Sequence, residues 1–254
     1  MPPATPQTPR KLPQAPPRSP GTPRRHKRPA AKRLQGIKPD PYTLAQIKKK
    51  LVEKLGLSFQ PDDWQIQLVS KIRQGYDSIF CAGTGYGKSL IFEGLAALGG
   101  KGKVVVVISP LKGLERDQVN QAKKKGLHAI MINEDNTRTA SLWKEARATA
   151  QLVYISPEMA LSASFNNLWT DANFRARVQA VIVDEAHCID EWGGEEFRPV
   201  YRKLSKLRDY TGQEVPFVAC TATCETKTFD IIWRDLDIGV VTVPYTVTVV
   251  KFTV

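Results

Sequence analysis

The sequence predicts an α/β domain built on a doubly wound, mostly parallel sheet, and three observations carry that prediction. From about residue 78 onward, short β-branched runs alternate with longer segments of helical periodicity, the order that places helices on both faces of a sheet. The run Lys103-Val-Val-Val-Val-Ile-Ser109 has no alternating polar positions, as a strand buried on both faces requires. The apolar Ile79-Phe-Cys81 enters a glycine-rich turn, and Leu90 opens a helical pattern, which is the strand–loop–helix setting of a phosphate-binding loop.

In chain order, residues 1–41 hold 12 of the 18 prolines and almost no large apolar residue. Such a segment cannot bury enough surface to offset its ordering entropy and is expected to be disordered. A folded lobe is expected over residues 42–240, and a terminal strand or the start of a linker over 241–254. Leu44, Ile47, Leu51 and Leu55 recur at helical spacing up to Gly56, and a second helix is expected from Asp62 to Gln74 with Trp64, Leu68 and Ile72 on one face. Past the loop, the pattern predicts strands at 103–109, 128–132, 151–155, 180–184 and 216–220. Helices are expected between them at 111–126, 139–150, 161–178 (one or two) and 199–209, with a last one at 227–236. Residues 240–254 are β-branched and nearly uncharged, which suits the last strand of the sheet or, if unpaired, an aggregation-prone edge.

The length of 254 residues allows one large domain with appendages or two small domains. The formal charge of +12 is unevenly spread: residues 1–39 carry ten Lys or Arg and no acid, and the rest holds 27 bases against 25 acids. The basic character therefore belongs to the tail. Within it, Arg24-Arg-His-Lys-Arg28 followed by Lys32-Arg33 fits either a bipartite nuclear-import signal or a solvated basic arm with weak phosphate affinity. No apolar run approaches the length of a membrane span, and the N-terminus has no hydrophobic signal core, so no membrane partner is expected. Cys220-x-x-x-Cys224 has no second Cys/His pair at zinc-like spacing, and with Cys81 and Cys188 these residues are expected as free thiols in a reducing compartment.

The turn itself reads Ala82, Gly83, Thr84, Gly85, Tyr86, Gly87, Lys88, Ser89. Gly83, Gly85 and Gly87 permit positive φ and close backbone approach to a ligand. The loop amides and the helix N-terminus would converge on a polyphosphate, Lys88 would reach the β- and γ-phosphates, and the Ser89 hydroxyl would ligate Mg²⁺. Alone, the run also fits a glycine-rich turn that binds nothing. A second motif favours the loop: the strand at 180–183 ends in Asp184-Glu185-Ala186-His187. Asp184 at a strand end suits Mg²⁺, and Glu185 can polarise a water that attacks the γ-phosphorus. Together the two motifs predict an ATPase using ATP and Mg²⁺. Two adjacent acids on a loop without such a partner would be a solvated turn.

The run Asp184-Glu-Ala-His-Cys-Ile-Asp-Glu-Trp-Gly193, followed by Phe197-Arg-Pro-Val-Tyr201, resembles the RecQ-type DNA helicases of superfamily two. Ser109-Pro-Leu-Lys-Gly-Leu-Glu-Arg-Asp-Gln118, Ile155-Ser-Pro-Glu158 and Ala219-Cys-Thr-Ala-Thr223 fall in matching order, and the resemblance covers roughly residues 55–240. It implies the first, ATP-binding RecA-like lobe of a 3′–5′ DNA helicase of the nucleus, acting in DNA repair and recombination on single-stranded or partly unwound DNA. It further implies that Gln65 reads the adenine and that Ser109, Pro110, Ser156 and Pro157 touch the DNA strand. By the same resemblance His187, Thr221 and Thr223 couple hydrolysis to motion, while Trp192, Phe197 and Arg198 belong to an aromatic-rich loop linking single-strand binding to hydrolysis. A tryptophan and an arginine there could stack on or clamp an unpaired base; Trp192 and Phe197 equally suit a small core under the loop.

The chain departs from the family pattern in three places. Gly193-Gly-Glu-Glu196 replaces a shorter segment that usually carries a histidine. Pro61-Asp-Asp-Trp64 stands where the family has Phe-Arg-Pro, so an upstream arginine contact to the nucleotide is missing. The sequence carries one lobe, whereas such helicases hold ATP between two, the second supplying an arginine finger worth about 10³–10⁵ in rate. The expectation is a lobe that binds Mg-ATP and single-stranded DNA, unable to unwind alone unless a protein partner supplies the second lobe. The alternative is a non-catalytic, ATP-responsive nucleic-acid-binding or regulatory protein. A different P-loop enzyme, such as a kinase, is disfavoured by Gln65, the acid pair and Thr221-Ala-Thr223 together.

Overall fold

A computed structural model of the chain describes residues 39–110, 112–137, 139–192, 199–212, 214–238 and 246–249. The expected disorder of the tail up to residue 38 lies outside them. Helix α1 (Leu44–Leu55) starts at a capping box in which the Thr43 hydroxyl accepts the Gln46 N–H and the Gln46 side-chain Oε1 accepts the Thr43 N–H. It stops at Gly56, whose φ of 59° gives the left-handed turn that ends many helices. Helix α2 (Asp63–Arg73) follows. Just ahead of the expected boundary at Tyr42, Asp40 is already joined to α2. The Asp40 carboxylate makes two hydrogen bonds to Arg73 on α2, at 2.8 and 3.2 Å, and Tyr42 lies under the cations of Lys50 and Arg73.

Strand β1 (Ser78–Cys81) leads through the glycine loop into α3 (Ser89–Gly99), then β2 (Val104–Ile108), α4 (Lys112–Lys124) and β3 (Ala129–Ile132). Next come α5 (Ala140–Ala148), β4 (Leu152–Ile155), the short α6 (Pro157–Ala160), α7 (Ala163–Thr170), α8 (Ala172–Arg177) and β5 (Val178–Val183). After β5 the chain forms α9 (Cys188–Glu191), a 3-10 helix (Tyr201–Leu207), α10 (Arg208–Thr211), β6 (Phe217–Thr221), α11 (Thr226–Asp235) and β7 (Thr246–Val249). The segment expected as one helix over 199–209 is thus mostly 3-10. Tyr201, Leu204 and Leu207 are all fully buried at strict three-residue spacing, and only a helix with three residues per turn sets such residues in one line.

The strands pair in the order β3-β4-β2-β5-β6-β1-β7, and every pairing is parallel. Successive strand residues go to opposite faces and bury two cores. Phe80, Val105, Val107, Tyr154, Ile182 and Val218 pack under α1–α4, while Ile79, Val106, Ile108, Val153, Val181 and Ala219 pack under the helices from α5 onward. Helices on both faces explain why the strand runs carry no polar alternation. β7 extends the sheet beside β1, in register from Ser78↔Thr246 to Cys81↔Val249; the rest of the terminal stretch lies outside the described residues.

At the end of the sheet where β1 begins, an ion pair ties three segments together. Arg208 donates to Asp77 at 2.6 Å, both side chains are buried, and Asp77 also accepts the Phe217 N–H at 2.8 Å. The guanidinium lies 3.9 Å from the centre of the Phe217 ring. Removing one member leaves a buried charge alone, so Arg208→Met is expected to cost about 3–5 kcal/mol in urea unfolding. Asp77→Asn/Arg208→Met should recover part of that loss.

Candidate functional site

The glycine loop hangs from two anchors. At its start, the Ala82 N–H donates to the Thr221 carbonyl on β6 at 3.0 Å. At its far end, Leu90 and Ile91 N–H donate to the Gly87 and Lys88 carbonyls, which opens α3 directly from the loop. Gly85 and Gly87 adopt φ of 87° and 74°. Gly83, which could also take a positive φ, does not; a Cβ there would approach the exposed Tyr86 ring at 3.2 Å, which would have to give by a few tenths of an ångström. Tyr86 is 40% exposed on the loop surface. The Lys88 ammonium donates to the Ala82 carbonyl at 3.2 Å and, among the described residues, forms no ion pair. Thr84 is exposed and Ser89 half-buried at the first position of α3.

Gln65 is only 4% exposed and braces the loop from α2. Its Oε1 accepts the Asp62 N–H at 2.9 Å, while its Nε2 faces the Tyr86 and Gly87 carbonyls at 3.3 and 3.4 Å. Both ends of the amide are therefore already occupied within the lobe.

Across β6 stands the acid pair. Asp184 ends β5, is 3% exposed, and fixes its backbone by donating to the Ile108 carbonyl at 2.9 Å. Its Oδ1 accepts from the Glu185 N–H at 3.0 Å and from the Cys220 thiol at 2.9 Å, and its Oδ2 from Gln118 Nε2 at 3.1 Å. Burial, with the neighbouring Asp184 charge, pushes the Cys220 thiol well above its ordinary pKa, so it stays protonated and donates. Among the described residues no Lys or Arg pairs with Asp184, whose side-chain partners there are all uncharged. Glu185 sits at φ 47°, an uncommon conformation for a residue with a side chain. It is held there by its N–H bond to Asp184 and by the Ala186 N–H, which donates to the Cys220 carbonyl at 2.8 Å.

A polar chain joins the acid pair to the segment after β6. The Thr221 hydroxyl donates to the Thr223 carbonyl at 2.7 Å, so at 2.9 Å from His187 Nδ1 it must accept. His187 therefore carries its proton on Nδ1, and that nitrogen also lies 3.4 Å from Glu185 Oε2.

The other expected residues are arranged differently. Ser109 and Pro110 follow β2, and Ser156 and Pro157 follow the neighbouring β4, but all four are buried. Ser156 caps α6, accepting the Met159 N–H at 3.1 Å, and Pro157 takes the first helical position. Trp192 packs edge-on against Tyr201, with ring centres 6.2 Å apart, at the margin of the core. That is the packing arrangement anticipated as the alternative to base stacking. Phe197 and Arg198 lie outside the described residues. The sequence reading gave no role to Gln118 or Cys220; the one available signal was their position inside the runs that end at Gln118 and at Thr223.

No group of three or more His, Cys, Asp or Glu able to hold a metal ion occurs among the described residues. The donors that could serve an ion jointly with bound phosphates are the Ser89 hydroxyl and the Asp184 carboxylate, and Mg²⁺ is usually held by one or two carboxylates with phosphate oxygens and water. The loop fits phosphates: Gly85 at its tip has open space about it and a positive φ, and Lys88 is uncommitted to any acid among the described residues. No described helix is long and apolar enough to cross a membrane.

The family model for DEAD/DEAH box helicases matches residues 62–231. The chain is 35% identical over 177 residues to the ATP-dependent DNA helicase RecQ of Pasteurella multocida, covering 68% of this chain and 27% of that protein. It is 33% identical over 193 residues to the RecQ-like DNA helicase blm-1 of Caenorhabditis elegans, covering 72% of this chain and 19% of that one. The chain thus spans about a quarter or less of these two relatives. Among solved structures, the DUF1998 helicase MrfA bound to DNA and AMPPNP superposes with a TM-score of 0.62 at 16% identity, over 85% of this chain and 30% of that one. A DEAD box protein from the hyperthermophile Methanococcus jannaschii does so with a TM-score of 0.58 at 17% identity, over 83% of this chain and 55% of that one. Both share the α/β RecA-like fold.

Two glycines with positive φ separate conformation from contact. Gly56 has open space where a Cβ would stand, whereas Gly87 meets Gln65. Gly56→Ala is expected to cost about 1 kcal/mol from its backbone alone, and Gly87→Ala a further increment within the roughly 1–3 kcal/mol of a strained site. Denaturant midpoints of the two variants check this.

Proposed function

The chain belongs to the DEAD/DEAH box helicase family, carrying the first lobe of its RecQ type, and from that premise we propose that it binds Mg-ATP and single-stranded DNA as the ATP-binding lobe of a 3′–5′ DNA helicase. The observation that carries this reading is the seam at the end of β6, where Thr221 and Cys220 hydrogen-bond to the glycine loop on one side and to the acid box on the other.

In this reading Lys88 leaves the Ala82 carbonyl for the β- and γ-phosphates while the loop amides surround them. Ser89 and Asp184 would hold Mg²⁺, which would neutralise charge on the phosphate oxygens. Glu185 orients and polarises the attacking water. Its uncommon backbone conformation turns its side chain away from the course of β5 and toward His187. The His187–Thr221–Thr223 chain passes a change at the γ-phosphate to the segment after β6. Gln65 serves the adenine through the region it already braces. DNA crosses the ends of β2 and β4, where Ser109, Pro110, Ser156 and Pro157 shape the strand ends from buried positions, and Trp192, with Phe197 and Arg198 after it in the sequence, completes the DNA side.

Strand separation is expected only where a second lobe, from this protein or a partner, faces this one and supplies a cationic finger worth about 10³–10⁵ in rate. The basic run at Arg24–Arg28 and Lys32–Arg33 supports a nuclear location.

Steady-state ATP hydrolysis with and without single-stranded DNA tests the reading. Slow turnover that DNA raises is expected, falling about 10²–10⁴-fold in Glu185→Gln while binding of a non-hydrolysable analogue persists. Analogue binding with no turnover in the wild type would instead favour a non-catalytic, ATP-responsive nucleic-acid-binding protein.

A further inference from the structure

We propose that Gln118 and Cys220 are positioning residues that fix the Asp184 carboxylate for its ion, with Gln118 linking that carboxylate to the helix that follows the Ser109–Pro110 turn. The inference rests on the Mg-ATP reading above and assigns roles to two residues outside the loop and acid motifs.

An aspartate at a strand end has two side-chain torsions to settle, and a nearly buried one cannot leave the choice to water. Here three donors settle it. Oδ1 takes the Glu185 N–H and the Cys220 thiol, and Oδ2 takes Gln118 Nε2. All three donors are uncharged. A lysine or arginine in either place would orient the carboxylate equally well but would cancel the charge that attracts a cation. Neutral donors orient without neutralising, the arrangement that outer partners of metal-binding carboxylates provide. A carboxylate oxygen has lone pairs to spare for an ion after accepting one hydrogen bond, which leaves Oδ2 the less encumbered of the two.

The Gln118 amide has a further property. Its Oε1 is buried without a hydrogen-bond partner among the described residues, on the same planar group whose nitrogen holds Asp184. An acceptor so near an ion site suits a water of the ion's shell, since Mg²⁺ usually keeps several. Gln118 also sits in the middle of α4 (Lys112–Lys124), which leaves β2 by way of Ser109 and Pro110. A shift of α4 along its axis would move the amide and turn the carboxylate. The strand ends read as the DNA side are in this way tied to the ion site by one side chain, independently of the His187–Thr221–Thr223 chain.

The test is Mg²⁺ titration of the 254-residue chain with a fluorescent, non-hydrolysable ATP analogue, beside binding in EDTA and thermal melting without metal. Gln118→Ala and Cys220→Val should bind the analogue in EDTA like the wild type, keep the metal-free melting temperature within a few degrees, and need at least about tenfold more Mg²⁺ for half-saturation. Cys220→Ser, which keeps a donor, should stay near the wild type. Unchanged Mg²⁺ dependence in both Gln118→Ala and Cys220→Val would overturn the inference and leave the functional reading standing. Loss of analogue binding in EDTA would also overturn it, showing a structural role only. A wild type whose analogue binding ignores Mg²⁺ would overturn the ion-site reading itself, and the inference with it.

Discussion

The site depends on one constraint: β6 lies between β1 and β5 and is hydrogen-bonded to both at its carboxyl end. In a parallel sheet the strands finish side by side, so whatever follows them is delivered to one rim. β6 sets the spacing. Through Thr221 it holds the first residue of the glycine loop, and through Cys220 it holds Ala186 of the acid box. The loop and the acids are never adjacent in sequence or in the sheet, yet neither can shift without breaking its backbone bond to one of these two consecutive residues of β6. The Thr221 side chain then continues the seam to His187 and Thr223.

That arrangement places polar groups where burial is expensive. Asp184 and Gln65 are nearly inaccessible, and Glu185 holds an uncommon φ. Each is compensated locally. Asp184 is surrounded by neutral donors, Gln65 uses both ends of its amide, and Glu185 is fixed by bonds on either side of its own backbone. The two apolar cores under α1–α4 and under the later helices provide the rigidity that keeps these groups in place. At the opposite end of β1, the Asp77–Arg208 pair ties the starts of β1 and β6 together, so the central strands are secured at both ends.

Much of this was legible in the sequence because it rests on local pattern. The β-branched runs, the glycine loop after Ile79–Cys81 and the acid pair after Val183 depend on residues next to one another, and the strands and most helices fall where periodicity put them. Contacts across the fold were not legible. Nothing local tells that Gln118 and Cys220 converge on Asp184, or that Asp40 is held by Arg73. The segment expected as a helix over 199–209 is helical but mostly 3-10, a distinction that apolar residues at three-residue spacing do not make by themselves. Gly83 shows a subtler limit. Of three alternate glycines that permit positive φ, two adopt it, while Gly83 does not and lies close to the Tyr86 ring.

The central claim is that the glycine loop and the acid box form one Mg-ATP site, and equilibrium titration of ATP into this chain with and without Mg²⁺, beside Lys88→Ala, tests it most directly. The account predicts saturable binding that Mg²⁺ strengthens and that weakens at least about tenfold in Lys88→Ala, the worth of one charge-assisted hydrogen bond. Binding that is absent in the wild type, or indifferent to Lys88→Ala, would contradict it.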